Sequence, residues 1–348
     1  MFGAFPRKQL RTELAKSANY QNGEFSNYTP IPINTASSYQ AAFLTLFKLI
    51  KRLGTKVAFP TIKTDLKSLH QAEEVLVWFG HSSYFLQLAG YKFLIDPVFS
   101  KFASPIPGCF GAFSATRIYQ DSDLPAIDYL IITHDHWDHL DYRTVMRLKN
   151  RLKLVICPLG VGAHFRRWKF DNIIELDWNE KLTLDNFVIH CLPTQHFSGR
   201  ALVRNQTLWG AFLITQTNFK IYLGGDSGYG THYQLAGQQF GPIDLAILEN
   251  GQYNNCWQHI HSAPEQTLQA AIDLKAKKVV PAHNSKFHLS SHPWSEPLEK
   301  LYQLHQINKS PFELLTPKVG EKLNITANNQ SSSRPTSSYS CWWHTGNN

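Results

Sequence analysis

From Val75 onward the chain is a series of short apolar runs bounded by Gly, Pro and Asp, the pattern of buried strands. The runs are VLVWF (75–79), SYFLQLA (83–89), YKFLID (91–96), DYLIIT (128–133), KLVICP (153–158), FVIHCLP (187–193), GAFLITQ (210–216), KIYLGG (220–225), DLAILEN (244–250) and KVVPA, which ends just before His283. Helical spacing marks Tyr142–Leu152, Pro264–Ala276 and Pro297–Gln306 instead. Ahead of the second of these, Ser262 followed by Ala-Pro-Glu predicts an N-cap, an early proline and an acidic first turn. Strands outnumber helices, and helices fall between groups of strands. That order predicts an α/β fold of two sheets with helices packed outside them, rather than a doubly wound parallel sheet.

The flanks read differently. Residues 1–74 form an arm that is polar, basic and Asn/Pro-containing to about Ser38, then a stretch from Ala41 to Gly54. In that stretch Phe43, Leu46, Phe47, Leu49, Ile50 and Leu53 recur at helical spacing, while Lys48, Lys51 and Arg52 gather toward its end. An amphipathic helix is expected, packed on or beside the domain or lying on anionic lipid. Residues 326–348 are Ser/Asn-rich and aperiodic, so a disordered tail is expected there, leaving 75–325 as the folded domain.

Composition narrows the class. The chain has 348 residues, 43% of them apolar, enough for a sizeable core and too many for intrinsic disorder. It contains no run of 18 apolar residues for a membrane-spanning helix and no apolar h-region for a secretory signal. Its five scattered cysteines (Cys109, Cys157, Cys191, Cys256 and Cys341) form no C-x-x-C pair, which excludes a disulfide scaffold and a Cys-type zinc ribbon. A reducing cytoplasm is the expected setting. The formal charge of +8 favours an anionic partner. Lys/Arg residues cluster at 143–153, 166–169 and 275–278, where helix solvation accounts for most of them, and nucleic acid is not expected. Peripheral contact with an anionic inner membrane face fits the charge and the Ala41–Gly54 helix together.

Sixteen histidines are the least ordinary number, because imidazole is the commonest protein metal ligand. Directly after the run ending at Ile132 stands THDHWDHLD, which places His134, His136, Asp138 and His139 within six residues. In an extended segment residues two apart point the same way, so His134 and His136 can reach one metal while the following turn swings Asp138 and His139 toward a second. One metal would leave ligands unused. The pattern then repeats, with His196, Asp226 and His283 each following the end of an apolar run. Strand ends of this kind let a sheet scaffold build one site from distant positions.

His-x-His-x-Asp-His after an apolar strand, then a His, a Gly-Asp and a late His, resembles the metallo-β-lactamase-fold hydrolase superfamily. The resemblance implies a four-layer αββα sandwich with a dinuclear, usually zinc, site at one edge of the sheets. Carried over residue by residue, it gives His134, His136 and His196 to the first metal, Asp138, His139 and His283 to the second, and Asp226 to both. A narrower similarity runs from about Val75 to Leu323. WFGH (78–81), LIDPVFS (94–100), ASP (103–105), LPAID (124–128), HDHWDHLDY (134–142), ELDW (175–178), GGDSG (224–228) and FGPIDL (240–245) are similar to the N-acyl-phosphatidylethanolamine-hydrolysing phospholipase D family. Two segments depart from the animal enzymes: HNSKF (283–287) stands where they have His-Trp-Gly, and ENGQYN (249–254) looks like the bacterial branch.

What this implies is hydrolysis by two zinc ions that share a water and need no Ser or Cys nucleophile. Imidazole and carboxylate without thiolate suit zinc, and the same donors admit iron or manganese. Oxygen-reducing di-iron relatives carry Glu for the second motif histidine, so His136 argues for hydrolysis. True β-lactamases of the fold carry Cys where Asp226 stands. Asp138 is expected as a ligand or general base, and His261, which aligns with a family histidine near the scissile group, as a proton donor or phosphate-orienting group. His81 reads as a buried partner behind the ligands or a structural histidine, and Asp96 as a residue behind the ligands. His288 and His292 read as pocket-mouth residues or ordinary loop. A phosphodiester or phospholipid is the expected substrate. The alternatives are a lactone or small soluble ester and, in another class, a non-catalytic, metal-binding, membrane-associated regulatory role.

Overall fold

The computed structural model describes residues 1–6, 8–32, 57–184, 186–200, 203–326 and 341–345. The helix expected over Ala41–Gly54 lies outside the described residues. Among them, the arm contributes α1 (Lys8–Leu14) and a two-stranded hairpin, Tyr20–Gln21 with Glu24–Phe25. Leu14 and Phe25 are buried in the same core as the sheets, together with Val57 and Phe59, so this part of the arm packs on the domain.

The apolar runs are strands: β1 (Val75–Trp78), β2 (Tyr84–Leu88), β3 (Tyr91–Ile95), β4 (Ile127–Ile131), β5 (Leu152–Pro158), β6 (Ile173–Leu176), β7 (Lys181–Leu184), β8 (Phe187–Leu192), β9 (Ala211–Gln216), β10 (Phe219–Leu223), β11 (Ile243–Glu249), β12 (Ala276–Ala282), β13 (Glu313–Leu314) and β14 (Lys322–Asn324). They form two seven-stranded sheets, ordered β14-β1-β2-β3-β4-β5-β6 and β13-β12-β11-β10-β9-β8-β7. The halves follow one plan. In the first sheet the pairs from β14 to β3 are antiparallel and those from β3 to β6 parallel. In the second the pairs from β7 to β10 are antiparallel and those from β10 to β13 parallel.

Continuous rather than alternating apolar runs follow from burial on both faces. Leu76, Trp78, Leu86, Ile131, Ile189, Phe212, Leu223 and Ile247 meet in a core between the sheets. Their neighbours Val77, Phe85, Leu130 and Val155 face α2 (Tyr142–Leu148) and α3 (Gly162–Arg167), with Val145, Leu148 and Phe165 in the same cluster. On the far side, Leu213, Tyr222, Ala246 and Val279 pack with Tyr233, Leu268 and Leu301 of α4 (Thr231–Phe240), α5 (Pro264–Asp273) and α6 (Glu296–Asn308). Side chains of successive residues thus enter different layers, and the sum is the four-layer αββα sandwich.

Two local expectations change. Ala263, not Ser262, is the N-cap of α5: Gln266 accepts the Ala263 amide at 3.0 Å, while the Ser262 hydroxyl donates to the Ser227 carbonyl at 2.8 Å. The tail is in part packed rather than disordered: Trp342 and Trp343 are buried in a short turn, with the Trp342 ring against Phe59 and Trp294. Two adjacent indoles carry enough apolar area to anchor a segment whose composition is otherwise polar.

Candidate metal centre

The loops that carry the site leave the C-terminal ends of three strands with parallel partners and of the antiparallel strand β8. His134 follows β4, His196 follows β8, Asp226 follows β10 and His283 follows β12. The backbone there is forced into tight turns. His81, Asp96 and His283 have φ of +56°, +39° and +61°, a left-handed conformation that costs a non-glycine residue about 1–2 kcal/mol. Hydrogen bonds hold two of these turns together: the His81 amide donates to the Asn284 carbonyl at 2.8 Å, and the His283 amide donates back to the His81 carbonyl at 3.0 Å. Gly228 serves a close approach, since a Cβ there would lie 1.9 Å from the His259 carbonyl oxygen, so the turn after Asp226 and the segment leading to His261 can meet.

The expected ligands converge into two groups. His134, His136, His196 and Asp226 present ligand atoms within 4.8 Å of one another, and so do His81, Asp138, His139 and His283. Asp226 faces both: its Oδ1 lies 3.1 Å from His139 Nε2 and 3.0 Å from His283 Nδ1, while its Oδ2 lies 3.8 Å from both His134 Nε2 and His196 Nε2. His139, His196 and His283 are fully buried, as is His134 but for a trace.

Three of the imidazoles are oriented from behind. Asp96, expected behind the ligands, accepts from His139 Nδ1 at 2.7 Å and from the Thr133 hydroxyl and amide at 2.6 and 2.8 Å. His134 Nδ1 meets the Thr133 hydroxyl at 3.0 Å, and His196 Nδ1 the Ile260 carbonyl at 2.9 Å. His81 Nε2 pairs with Asp138 Oδ2 at 2.8 Å, which makes it a buried partner of an expected ligand. Such contacts fix the tautomer and leave the other nitrogen aimed at a metal.

The electrostatics suit a cation at four of the five ligand histidines, whereas the Asp226 and Asp138 carboxylates, against burial, hold His139 above the ordinary histidine value. Burial and the surrounding imidazoles hold His134, His196 and His283 well below the ordinary histidine value, and burial pushes His136 down to about 4, so these rings are neutral and carry free lone pairs. Burial pushes the Asp226 carboxyl up to about 7 against the pull of His139, a sign of a carboxylate short of positive charge. His139 Nε2, His283 Nε2 and Asp226 Oδ1 are buried without an aligned hydrogen bond. Orphaned polar atoms at the meeting point of seven expected ligands are what two bound cations would satisfy.

Other expected residues divide. His261 joins the site, within ligand reach of Asp226 and His283. His292 does not: its Nε2 accepts the Gln252 amide at 2.8 Å and its Nδ1 donates to the Pro293 carbonyl at 2.8 Å, so it secures a loop. His288 is half-buried on the same loop, outside the ligand groups. Sequence reasoning missed Glu249, buried at the end of β11 and paired with His261 Nδ1. The signal was present, an acid closing an apolar run just as the expected ligands follow theirs. It also missed Asp135, which accepts from His164 Nε2 at 2.9 Å and the Gly199 amide at 2.8 Å and so ties the motif loop to α3. Beside the motif lies an open pocket of about 210 Å³ lined by Met1, Phe102, Pro105, Trp137, Lys101 and Arg143, among others.

The model of the beta-lactamase superfamily domain matches residues 91–284. An uncharacterised protein of Mycobacterium tuberculosis is 36% identical over 330 residues, which cover 91% of this chain and 87% of that one. N-acyl-phosphatidylethanolamine-hydrolyzing phospholipase D 1 of Caenorhabditis elegans is 27% identical over 293 residues, 74% of this chain and 81% of its own. Among solved structures, CmlA, a diiron beta-hydroxylase from Streptomyces venezuelae, superposes with a TM-score of 0.57 at 22% identity, over 73% of this chain and 54% of that one.

Proposed function

The chain belongs to the beta-lactamase superfamily and is a metal-dependent hydrolase, and on that premise we propose that it cleaves a phosphodiester, with a phospholipid of the N-acyl-phosphatidylethanolamine type favoured. The observation that carries the reading is Asp226 with one oxygen toward His139 and His283 and the other toward His134 and His196. His134, His136 and His196 would hold one ion, Asp138, His139 and His283 a second, and Asp226 both. Zinc suits these nitrogen and oxygen donors, while the diiron centre named for CmlA makes iron the metal to compare. When bound, two such ions lower the pKa of a shared water and stabilise charge on the attacking and leaving oxygens.

The protein's own groups do the rest. Asp96, Thr133 and the Ile260 carbonyl hold the imidazoles in place, and His81 holds Asp138. His261, with its side chain 14% exposed where His139, His196 and His283 are at 0%, stands on the open side of the site, where it can give a proton to the leaving oxygen. A phosphodiester is supported by the phospholipase D relative and by Lys101 and Arg143, which together with Asp141 line a largely apolar pocket beside the motif. The catalytic unit would be residues 75–325. No helix among the described residues is long and apolar enough to cross a membrane. The net charge of +8 supports peripheral contact with an anionic bilayer at the cytoplasmic face.

The test is hydrolysis of a generic phosphodiester, a lactone and an N-acylated phospholipid, before and after chelation and with zinc or iron restored. Chelator-sensitive cleavage of the phosphodiester and the phospholipid is expected. Turnover of the lactone alone would reassign the substrate to a soluble ester. Inactivity on all three with either metal would leave a non-catalytic, metal-binding regulatory role.

A further inference from the structure

Glu249 is 2% exposed and has its whole carboxylate committed. One oxygen meets His261 Nδ1 in a short contact, and the other accepts the Ser227 amide at 2.6 Å. Its main chain is pinned as well, the carbonyl accepting the Thr267 hydroxyl at 2.7 Å. The His261 ring lies parallel to His283, with centroids 5.2 Å apart and 16° between the planes, and edge-on to His196 at 5.1 Å. With Nδ1 engaged by Glu249, Nε2 is the nitrogen left for a substrate.

We propose that Glu249 is a positioning residue for the reaction: it fixes His261 with a proton on Nδ1 and supports the imidazolium that protonates the leaving group through Nε2. The inference rests on the hydrolase reading above. In the step, the oxygen of water bonds to phosphorus, the bond from phosphorus to the leaving oxygen breaks with its electron pair on that oxygen, and the Nε2 proton goes there. The proton released by the attacking water restores the imidazolium. A buried carboxylate on the far nitrogen plays the same part for histidine in serine hydrolases.

The Ser227 amide makes the test sharp. In Glu249→Gln the side-chain oxygen must face that amide, which turns the NH2 toward His261 Nδ1 and excludes a proton there, so the doubly protonated imidazolium that acts as the acid cannot form. General acid catalysis contributes about 10²–10⁴-fold, so kcat on an alkyl phosphodiester should fall at least ~10²-fold, with KM and bound metal little changed. A nitrophenyl phosphodiester, whose leaving group needs no proton, should be spared, and Glu249→Asp should recover part of the alkyl rate. A structural defect would slow both substrates alike. Independently of turnover, the metal-loaded wild type should show a low-field proton resonance from His261 Nδ1 that is absent from both Glu249→Gln and His261→Asn. Equal losses on the two substrates, loss of metal in Glu249→Gln, or a low-field resonance that survives it would overturn the proposal. If the wild type cleaves neither phosphodiester, the hydrolase reading fails by itself, and the resonance still decides whether Glu249 holds the His261 proton.

Discussion

Asp96→Asn separates the orientation of a ligand from its presence. Asp96 touches no substrate and is no expected ligand, yet it accepts three hydrogen bonds, from His139 Nδ1 at 2.7 Å and from the Thr133 hydroxyl and amide at 2.6 and 2.8 Å. Asparagine has the same shape and tolerates the φ of +39° at this position, so the backbone is not disturbed. What changes is chemistry: one acceptor oxygen becomes a donor. If the remaining oxygen keeps the Thr133 amide, the new NH2 faces His139 Nδ1, and the proton there must move to Nε2, the nitrogen aimed at Asp226. Loss of such a contact behind a metal ligand costs about 10–100-fold in metal affinity, or about 1.4–2.8 kcal/mol at 1.4 kcal/mol per tenfold. The assay is competition with a chromophoric chelator, which titrates the two ions separately. If Asp138, His139 and His283 hold a second ion as proposed, that ion should weaken by that factor while the first changes less. An Asp96→Asn protein that binds both ions as tightly as wild type would refute the account of how His139 is oriented.

Lys286 is 2% exposed, its ammonium donating to the Phe79 carbonyl at 3.2 Å, and burial pushes its pKa down to about 7 despite Asp141. Between that value and an unfolded value near 10.5 the unfolded chain holds a proton that the folded chain lacks, so this group's contribution to stability rises with pH across the window and its full cost is felt below about pH 7. Lys286→Met should remove a penalty on the order of 5 kcal/mol at pH 6 and much less at pH 10; a difference between variant and wild type that is constant with pH in denaturant melts would contradict this. Trp342→Ala should cost about 3–5 kcal/mol, because the ring is 1% exposed and its N–H donates to the Thr316 carbonyl at 3.1 Å; a cost below about 1 kcal/mol would mean that Cys341–Thr345 does not pack.

The site was legible where chemistry and chain order coincide. His134 to His139 are local, and His196, Asp226 and His283 share a placement after apolar strands, so their convergence could be read without coordinates. Asp96 closes a run in the same way, and its carboxylate meets His139 Nδ1. Other features depend on contacts that no spacing encodes. His292 resembles a site histidine in composition, and only the Gln252 amide and Pro293 carbonyl show it to be a loop fastener. Glu249 ends a strand as visibly as the others, yet its meaning depends on His261, twelve residues away, folding back onto it. The strand Lys181–Leu184 was missed because its alternation of exposed and half-buried residues lacks the strong apolar signal of the central strands. The short helix Gly162–Arg167 has too few turns to declare a helical period. Within the tail, composition did not reveal the packed turn at Cys341–Thr345, where Trp342 and Trp343 are buried.

The most direct test of the central claim is anomalous diffraction from crystals of the protein loaded with zinc. Two peaks about 3.5–4 Å apart are expected, one among His134, His136 and His196 and one among Asp138, His139 and His283, with Asp226 reaching both. A single peak, or a pair that leaves Asp226 outside its coordination, would contradict the claim.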